Sequence, residues 1–182
     1  IRDSVIGQSS TDLKAMASAC DDLGLERTAV AFVVENANPI SPDSSIRSAA
    51  VDGLKKAIDD SKLIGADFLV GGIYQAHKYF TGKSPTKQEW DWSADYLHTC
   101  GEYAQQAGIQ LGLEFLNRFE VFLINTSAEC KRMVEQVGLQ NVGVHYDTHH
   151  ANIEDPNIRE SLLKIQNVIN QEHLSESHRD IL

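Results

Sequence analysis

The stretch Leu111-Gly112-Leu113-Glu114-Phe115-Leu116 is apolar throughout except for one carboxylate. Such a continuously apolar strand, here predicted over 110–116, is typical of a parallel sheet that helices cover on its faces. Four more short, mostly apolar runs occur along the chain, and longer segments with helical spacing separate them. The sequence therefore predicts repeated βα units. The other predicted strands lie at 29–34, 67–72, 141–146 and about 168–173.

The segments between these strands carry apolar residues at helical spacing, with capping residues at several of their ends. Ser9-Ser10-Thr11-Asp12 offers N-cap side chains to the first helix, and Gly108 ends the third. No stretch rich in Pro, Gly or Ser interrupts the pattern, so we expect one domain over 1–182. The predicted helices lie at about 9–24, 46–65, 87–106, 127–136 and 157–165.

Five strands with helical crossovers leave two α/β architectures, a doubly wound open sheet and a (β/α)8 barrel. A doubly wound nucleotide-binding fold needs a glycine-rich turn after its first strand, and Gly71-Gly72 leads only into Ile73-Tyr74-Gln75. A full barrel typically takes about 250 residues. We therefore expect part of a barrel, with about five strands and their helices present and with the first strands and the eighth missing.

Composition excludes several functions. The chain has 16 Lys and Arg against 26 Asp and Glu, a formal net charge of −10. Binding to nucleic acid or to an anionic membrane surface relies on clustered basic residues, so neither partner is expected. No apolar run approaches the roughly 18 residues that would span a bilayer.

The dispersed Cys20, Cys100 and Cys130 form no CxxC pair, which argues against a disulfide framework and fits a reducing, cytoplasmic location.

Three consecutive predicted strands carry, at or beside their carboxyl ends, residues that can bind metals: Glu114, Asp147 and His173. The carboxyl ends of parallel strands meet at one rim, and a buried carboxylate is costly unless it is paired or coordinates a cation. Two carboxylates and an imidazole suit a divalent ion such as Mn²⁺, Mg²⁺, Co²⁺ or Zn²⁺. The alternative is structural: Glu114 would pair with Arg118, and His173 would be a satisfied core histidine.

Three segments that contain these residues, 113–120, 147–154 and 173–179, resemble the ketose 3-epimerase family of the xylose-isomerase-like sugar isomerase/epimerase superfamily. The intervals of 33 residues from Glu114 to Asp147 and 26 from there to His173 are also similar to those of the family. The resemblance implies a metal-dependent TIM barrel. Its activity would be inversion of C3 in a free ketose such as D-tagatose, D-fructose or D-psicose, through a cis-enediolate intermediate.

The same resemblance implies roles for individual residues. Glu114, Asp147 and His173 would bind one divalent ion per subunit, manganese first, with cobalt or magnesium as alternatives. Glu114 would also be a catalytic acid/base, and a second catalytic glutamate, which is the fourth ligand, is expected beyond Leu182. The resemblance also suggests a dimer or tetramer of identical subunits. The substrate-binding residues would be Glu120, His150 and Arg179.

Other readings of the sequence stay open. An aldose–ketose isomerase similar to hydroxypyruvate isomerase, or an inosose dehydratase, would use the same barrel, ligands and enediolate step. A superfamily endonuclease is disfavoured by the acidic charge, and a non-catalytic sugar-binding domain is the remaining class. Tyr74, Gln75 and His77 either line the far end of the sugar or pack their loop. His149 and His150 are expected on an extended segment, where adjacent side chains point in opposite directions, so only one would face the site.

Overall fold

The computed structural model describes residues 8–175. Within them, five strands form one sheet in which every neighbouring pair is parallel and the spatial order follows the sequence. A doubly wound sheet would reverse its strand order, whereas a barrel adds each strand beside the one before it. The fold is therefore a half-barrel of the α/β class, a partial TIM barrel. The strands are β1 (Thr28–Val30), β2 (Phe68–Gly71), β3 (Gln110–Glu114), β4 (Val142–Asp147) and β5 (Ile169–His173).

Helices connect the strands, and their ends follow local sequence signals. The third and fourth helices begin with capping boxes, Thr86 with Glu89 and Thr126 with Glu129. The third ends at Gly108, whose φ of 79° lies in the left-handed region that glycine tolerates. No helix within residues 8–175 is long and apolar enough to cross a membrane. The helices are α1 (Ser10–Asp22), α2 (Ser44–Leu63), α3 (Lys87–Ala107), α4 (Ser127–Val137), α5 (Thr148–Glu154) and α6 (Ile158–Ile165).

The predicted strand at 29–34 is wrong at its carboxyl end. Strand β1 stops at Val30, and the chain beyond it returns to the sheet direction only at the bridge between Val33 and Ala76. Val34 is 59% exposed, so the apolar run does not lie in a fully buried strand. The N–H of Ala31 still donates to the carbonyl of Val70 at 2.9 Å before the chain diverges.

The expectation of an extended segment at His149 and His150 is also wrong, because these residues lie in α5. Strand β4 passes directly into this helix, and the Asp147 side chain accepts a hydrogen bond from the His149 N–H at 2.7 Å. A capping aspartate at the last position of the strand therefore starts the helix.

The two faces of the sheet differ in composition. On β3, Leu111 and Leu113 are fully buried in the core formed with the helices. Side chains alternate along a strand, so Gly112 and Glu114 lie on the opposite face, toward the interior of the barrel. A Cβ on Gly112 would lie 3.1 Å from the Cβ of His145, which places His145 on that same interior face.

Candidate active site and metal centre

A cavity of about 530 Å³ lies at the carboxyl ends of the strands. Glu114 and Asp147 enter it from the last positions of β3 and β4, and His173 enters from the last position of β5. Parallel pairing aligns these ends, since Asp147 is the register partner of His173. Arg179 lies outside the described residues. The other residues that line the cavity are Val30, Phe32, Leu116, Glu120, His150, Glu172, Leu174 and Ser175.

The side chains of this cavity are suited to a cation. Four carboxylates and two imidazoles line it, and no lysine or arginine does so among residues 8–175. Donor atoms of Glu114, Asp147 and His150 lie within 4.8 Å of one another, and so do those of Glu114, His145 and His173. The predicted ligands Glu114, Asp147 and His173 are thus divided between two overlapping groups that share Glu114. Carboxylate and imidazole donors together suit a divalent transition-metal ion.

The hydrogen bonds of His150 fix its tautomer. Its Nδ1 accepts from the backbone N–H of Asn117 at 3.1 Å, and a backbone N–H can only donate. In the neutral ring the proton therefore resides on Nε2, which lies 3.7 Å from Oε1 of Glu114 and 3.9 Å from Oδ2 of Asp147. A protonated nitrogen has no lone pair for a metal, so His150 acts as a donor toward these acids or toward a bound ligand.

Glu120 is held at the rim of the cavity by two side chains. Its Oε1 accepts from Nδ2 of Asn117 at 2.8 Å, and its Oε2 lies 2.9 Å from Nε2 of His77. The N–H of Lys78 donates to the Glu120 carbonyl at 2.8 Å, with Lys78 at a φ of 60°. The His77 ring also packs 5.1 Å from the ring of Phe32, which lines the cavity. His77 therefore contacts the site through Glu120 and Phe32.

The other two residues of that loop have packing roles. Tyr74 is fully buried, and its hydroxyl donates to the carbonyl of Ile124 at 2.9 Å. Gln75 is also buried, and its Oε1 accepts from the N–H groups of Phe122 and Leu123 at 3.1 and 2.8 Å. These bonds tie the loop after β2 to the loop after β3. Within the described residues, neither side chain lines the cavity.

Arg118 does not serve as the structural partner of Glu114. Its Nη2 and Nε donate to the carboxylate of Glu154 at 2.7 and 3.1 Å, and its backbone N–H donates to the same carboxylate at 2.6 Å. Burial alone would raise the pKa of Glu154, but the hydrogen bonds from Arg118 outweigh it, so this pKa lies below its ordinary value. The pair joins the loop after β3 to α5.

His145, which sequence reasoning did not single out, lies beside the candidate metal centre and forms a group with Glu114 and His173. It is fully buried on β4, two positions before Asp147 and on the same face of the strand. Burial, together with the charges of His173 and His150, lowers the pKa of His145 to about 3. Neither ring nitrogen has a hydrogen-bond partner among residues 8–175, which typically costs about 1–3 kcal/mol for a buried polar group. The alternation of side chains along the run 142–147 was the signal that could have revealed it.

A second cavity, of about 460 Å³, lies between α2 and the chain that follows β1. Most of its lining is apolar, and the Asp60 carboxylate beside it is paired with Lys56 at 2.6 Å. It carries no group of three metal-binding side chains within the described part of the chain. Both groups of metal-binding side chains among residues 8–175 instead include Glu114 at the end of β3.

Comparisons with known proteins agree with this geometry. The family model described as "Xylose isomerase-like TIM barrel" matches residues 3–180. An L-ribulose 3-epimerase of Mesorhizobium japonicum is 30% identical over 179 residues, which cover 98% of this chain and 60% of the relative. A ketose 3-epimerase of Arthrobacter globiformis is 28% identical over 173 residues, covering 95% and 60%. The chain thus spans about 60% of the length of these curated relatives.

Among solved structures, that of D-psicose 3-epimerase with D-tagatose from Clostridium cellulolyticum superposes with a TM-score of 0.93 at 26% identity. The match covers 100% of this chain and 63% of that one. The half-barrel therefore has the backbone arrangement of the corresponding part of that structure.

Proposed function

The chain belongs to the xylose isomerase-like TIM barrel family, and from that membership we propose that the whole protein is a metal-dependent ketose 3-epimerase. One observation carries the proposal: the carboxylate of Glu114, 5% exposed, faces a cavity that Asp147 and His173 enter from the next two strands. Buried carboxylates in proteins are hydrogen-bonded, paired or bound to a cation, and the carboxylate and imidazole donors around this cavity suit a cation. The names of the relatives, L-ribulose 3-epimerase and ketose 3-epimerase, support the reaction class.

The proposed metal ligands are Glu114, Asp147 and His173. We propose that they bind one divalent ion per subunit, which is Mn²⁺ in preference to Co²⁺ or Mg²⁺. A bound divalent ion supplies a Lewis acid that stabilises negative charge on the oxygens of the sugar. The donor set of the cavity, with no lysine or arginine among the described lining residues, supports this assignment.

Glu114 is the proposed acid/base at C3 of the sugar. Its carboxylate accepts the C3 proton, and the electron pair left on C3 is delocalised into the neighbouring carbonyl as a cis-enediolate. Inversion requires the proton to leave from one face and return to the other, so a second carboxylate must act from the opposite side. We place that second carboxylate after Leu182, as the family resemblance implies.

Glu120, His150 and Arg179 are the proposed substrate-binding residues. The Nε2–H of His150 points toward the Glu114 side of the cavity, where it would donate to a hydroxyl or carbonyl oxygen of the sugar. Glu120 would accept from a sugar hydroxyl at the rim. A phosphate group would meet carboxylates and no described cationic side chain there, so we propose a free, uncharged ketose as substrate.

We also propose a dimer or tetramer of identical subunits, on the family resemblance, and a cytoplasmic location. The three free cysteines support a reducing compartment. The net charge of −10 supports the absence of a nucleic-acid partner.

Product analysis tests the reaction. Full-length protein with bound Mn²⁺ should convert L-ribulose, D-fructose or D-tagatose into its C3 epimer and should incorporate solvent deuterium at C3 in D₂O. Glu114→Gln should lower turnover by about 10²–10⁴-fold, whereas Glu135→Gln on the exposed face of α4 should not change it. If metal is bound and no C3 epimer forms, the proposal is wrong. An aldose or a dehydrated product would instead identify the isomerase or the dehydratase.

A further inference from the structure

The loop after β2 holds Glu120 at the rim of the cavity through two consecutive residues. Nε2 of His77 lies 2.9 Å from Oε2 of Glu120, and the backbone N–H of Lys78 donates to the Glu120 carbonyl at 2.8 Å. The Nδ2 amide of Asn117 donates to the other carboxylate oxygen at 2.8 Å. Glu120 is therefore held at its main chain and at both oxygens of its side chain.

His77 is itself fixed by the chain that follows β1. Its backbone N–H donates to the carbonyl of Val33 at 2.9 Å, and its ring lies 5.1 Å from the ring of Phe32. The side chains of His77 and Glu120 are each only 21% exposed, so solvent screens their contact incompletely. His77 thus connects the segments that follow three successive strands, β1, β2 and β3.

The backbone at Lys78 has a conformation that lysine rarely adopts. Its φ of 60° lies in the left-handed region, and among residues 8–175 no other non-glycine residue has a positive φ. This conformation is costly for a residue with a Cβ and persists only where surrounding contacts impose it. One such contact is the hydrogen bond from the Lys78 N–H to Glu120, a residue that lines the cavity. The strained backbone therefore accompanies a contact with the candidate site.

His77 reaches the site through its neighbours. Glu120 and Phe32 line the cavity, whereas His77 does not do so within the described part of the chain. A carboxylate only accepts hydrogen bonds, so Nε2 of His77 carries a proton that it donates to Glu120. That proton is engaged by the protein and is not offered to a sugar.

We propose that His77 is a positioning residue that fixes the orientation in which the Glu120 carboxylate binds a sugar hydroxyl. This inference rests on the proposed function and deepens it at the rim of the cavity. A carboxylate restrained at both oxygens loses less rotational freedom when the sugar binds, so the restraint raises ketose affinity. Because Glu120 is not the proposed acid/base, the effect of His77 falls on KM rather than on kcat.

Two substitutions in the full-length, metal-loaded protein separate the hydrogen bond from the ring contact. His77→Phe keeps an aromatic ring beside Phe32 but has no donor, whereas His77→Gln supplies an amide donor without a ring. KM for L-ribulose or D-fructose should rise by about tenfold in His77→Phe, with kcat nearly unchanged. It should return toward the wild-type value in His77→Gln. A wild-type KM in His77→Phe, or an equal increase in both variants, overturns the proposal.

Glu120→Ala tests whether His77 acts through Glu120. Removal of the carboxylate should raise KM, and His77→Phe should then add no further increase, because no carboxylate is left to orient. If the two substitutions raise KM independently, His77 acts on the sugar or on the fold by another route, and the proposal is overturned.

His98→Gln is the matched control. His98 lies on α3, also beside a glutamate, with its Nε2 3.7 Å from Oε1 of Glu102, and it does not line the cavity. Its replacement should leave KM and kcat at the wild-type values. If the wild type binds ketose in titration calorimetry but forms no C3 epimer, the proposed reaction alone is refuted. The ketose affinities of the same variants then decide the role of His77. A wild type that binds no ketose refutes both.

Discussion

The backbone N–H of Asn117 donates to Nδ1 of His150 at 3.1 Å, so one loop residue determines which nitrogen of a buried histidine faces the cavity. The Nδ2 amide of Asn117 lies 3.0 Å from the same Nδ1 and donates to Oε1 of Glu120 at 2.8 Å. Asn117 therefore connects two of the proposed substrate-binding residues. Its own side chain lies behind the lining of the cavity, which makes it a positioning residue.

Asn117→Ala should weaken substrate binding more than metal binding. The backbone bond to His150 and the contact between His77 and Glu120 remain, but Glu120 loses the donor that orients its Oε1. We expect kcat/KM for the ketose to fall by about 10–100-fold, mainly through KM. Calorimetry should show an unchanged affinity for Mn²⁺, because Asn117 belongs to neither group of metal-binding side chains around Glu114.

Asn117→Asp provides the comparison. An aspartate of the same size would place a second carboxylate against Glu120 and repel it. The KM of the Asn117→Asp variant for the ketose should therefore rise further than that of the alanine variant. Equal KM values for wild type and both variants would show that Asn117 does not position Glu120.

Asp147 combines two functions that substitution can separate. Its Oδ1 caps α5 through the His149 N–H at 2.7 Å, while its Oδ2 faces His150 and the metal-binding group. Asparagine is as good an N-cap as aspartate but carries no charge. Asp147→Asn should therefore keep the thermal stability of the apoprotein while lowering its divalent-ion affinity.

Asp147→Ala should lower metal affinity and also destabilise the apoprotein by about 1 kcal/mol, the usual cost of a lost cap. Urea denaturation of the metal-free protein measures the second effect, and calorimetry measures the first. Full metal affinity in the asparagine variant would remove Asp147 from the proposed ligand set.

Many of the helix ends were predictable because residues next to them in sequence determine where each helix starts and stops. The helix ends at Gly108 and at the capping residue Thr126 are encoded by neighbouring residues, so α3 and α4 begin and end close to their predicted limits. The end of β1 was not predictable in this way. The chain leaves β1 beside Gly71, where a Cβ would lie 2.2 Å from the carbonyl oxygen of Ala31, and this close approach joins segments that are far apart in sequence.

The site also combines features that the sequence predicts with features that depend on contacts between distant parts of the chain. The convergence of Glu114, Asp147 and His173 could be predicted because parallel strands bring their carboxyl ends to one rim, and all three side chains line one cavity. The position of His145 beside the candidate metal centre did not follow from the strand ends, because His145 lies two positions before the end of β4. The pairing of Arg118 with Glu154 could not be anticipated either, since it depends on the direction in which α5 leaves the sheet.

The Arg118–Glu154 pair predicts a pH-dependent contribution to stability. Arg118 is largely exposed, whereas the Glu154 side chain is only 3% exposed. The hydrogen bonds from Arg118 hold the pKa of Glu154 below its ordinary value of 4.5 despite the opposing effect of burial. A carboxyl with a lowered folded-state pKa stabilises the protein above the unfolded-state pKa and loses that contribution as pH falls through the folded-state value.

Glu154→Gln should therefore lower Tm at pH 7, and the difference from wild type should shrink as the pH falls below about 4.5. Differential scanning calorimetry at pH values from 7 to about 3 measures this difference in Tm. Glu102→Gln on the exposed face of α3 is the control, whose Tm should follow the wild type throughout. A Glu154→Gln difference that stays constant down to about pH 3 would mean that the ionised pair does not stabilise the fold.

The interior layer below the cavity contains a close contact between Gly143 and Asn170, which replacing Gly143 with alanine should disrupt. Asn170 on β5 donates through Nδ2 to the carbonyl of Leu111 on β3 at 2.9 Å, and so reaches across β4. Gly143 on β4 makes this possible, because a Cβ there would lie 2.6 Å from Cγ of Asn170. Gly143→Ala would force the amide away and break its bond to Leu111. We expect a loss of about 1–3 kcal/mol in the free energy of unfolding, measured by urea denaturation.

Gly53→Ala is the matched control, since Gly53 lies in α2 and a Cβ added there would have nothing within 4 Å. Alanine should stabilise that helix by about 0.5–1 kcal/mol. The double variant Gly143→Ala with Asn170→Ala isolates the cause. If the clash with Asn170 destabilises the protein, Gly143→Ala should cost much less in the Asn170→Ala background than in the wild type. An equal cost in both backgrounds would assign the loss to the β4 backbone and leave the contact with Asn170 without a role.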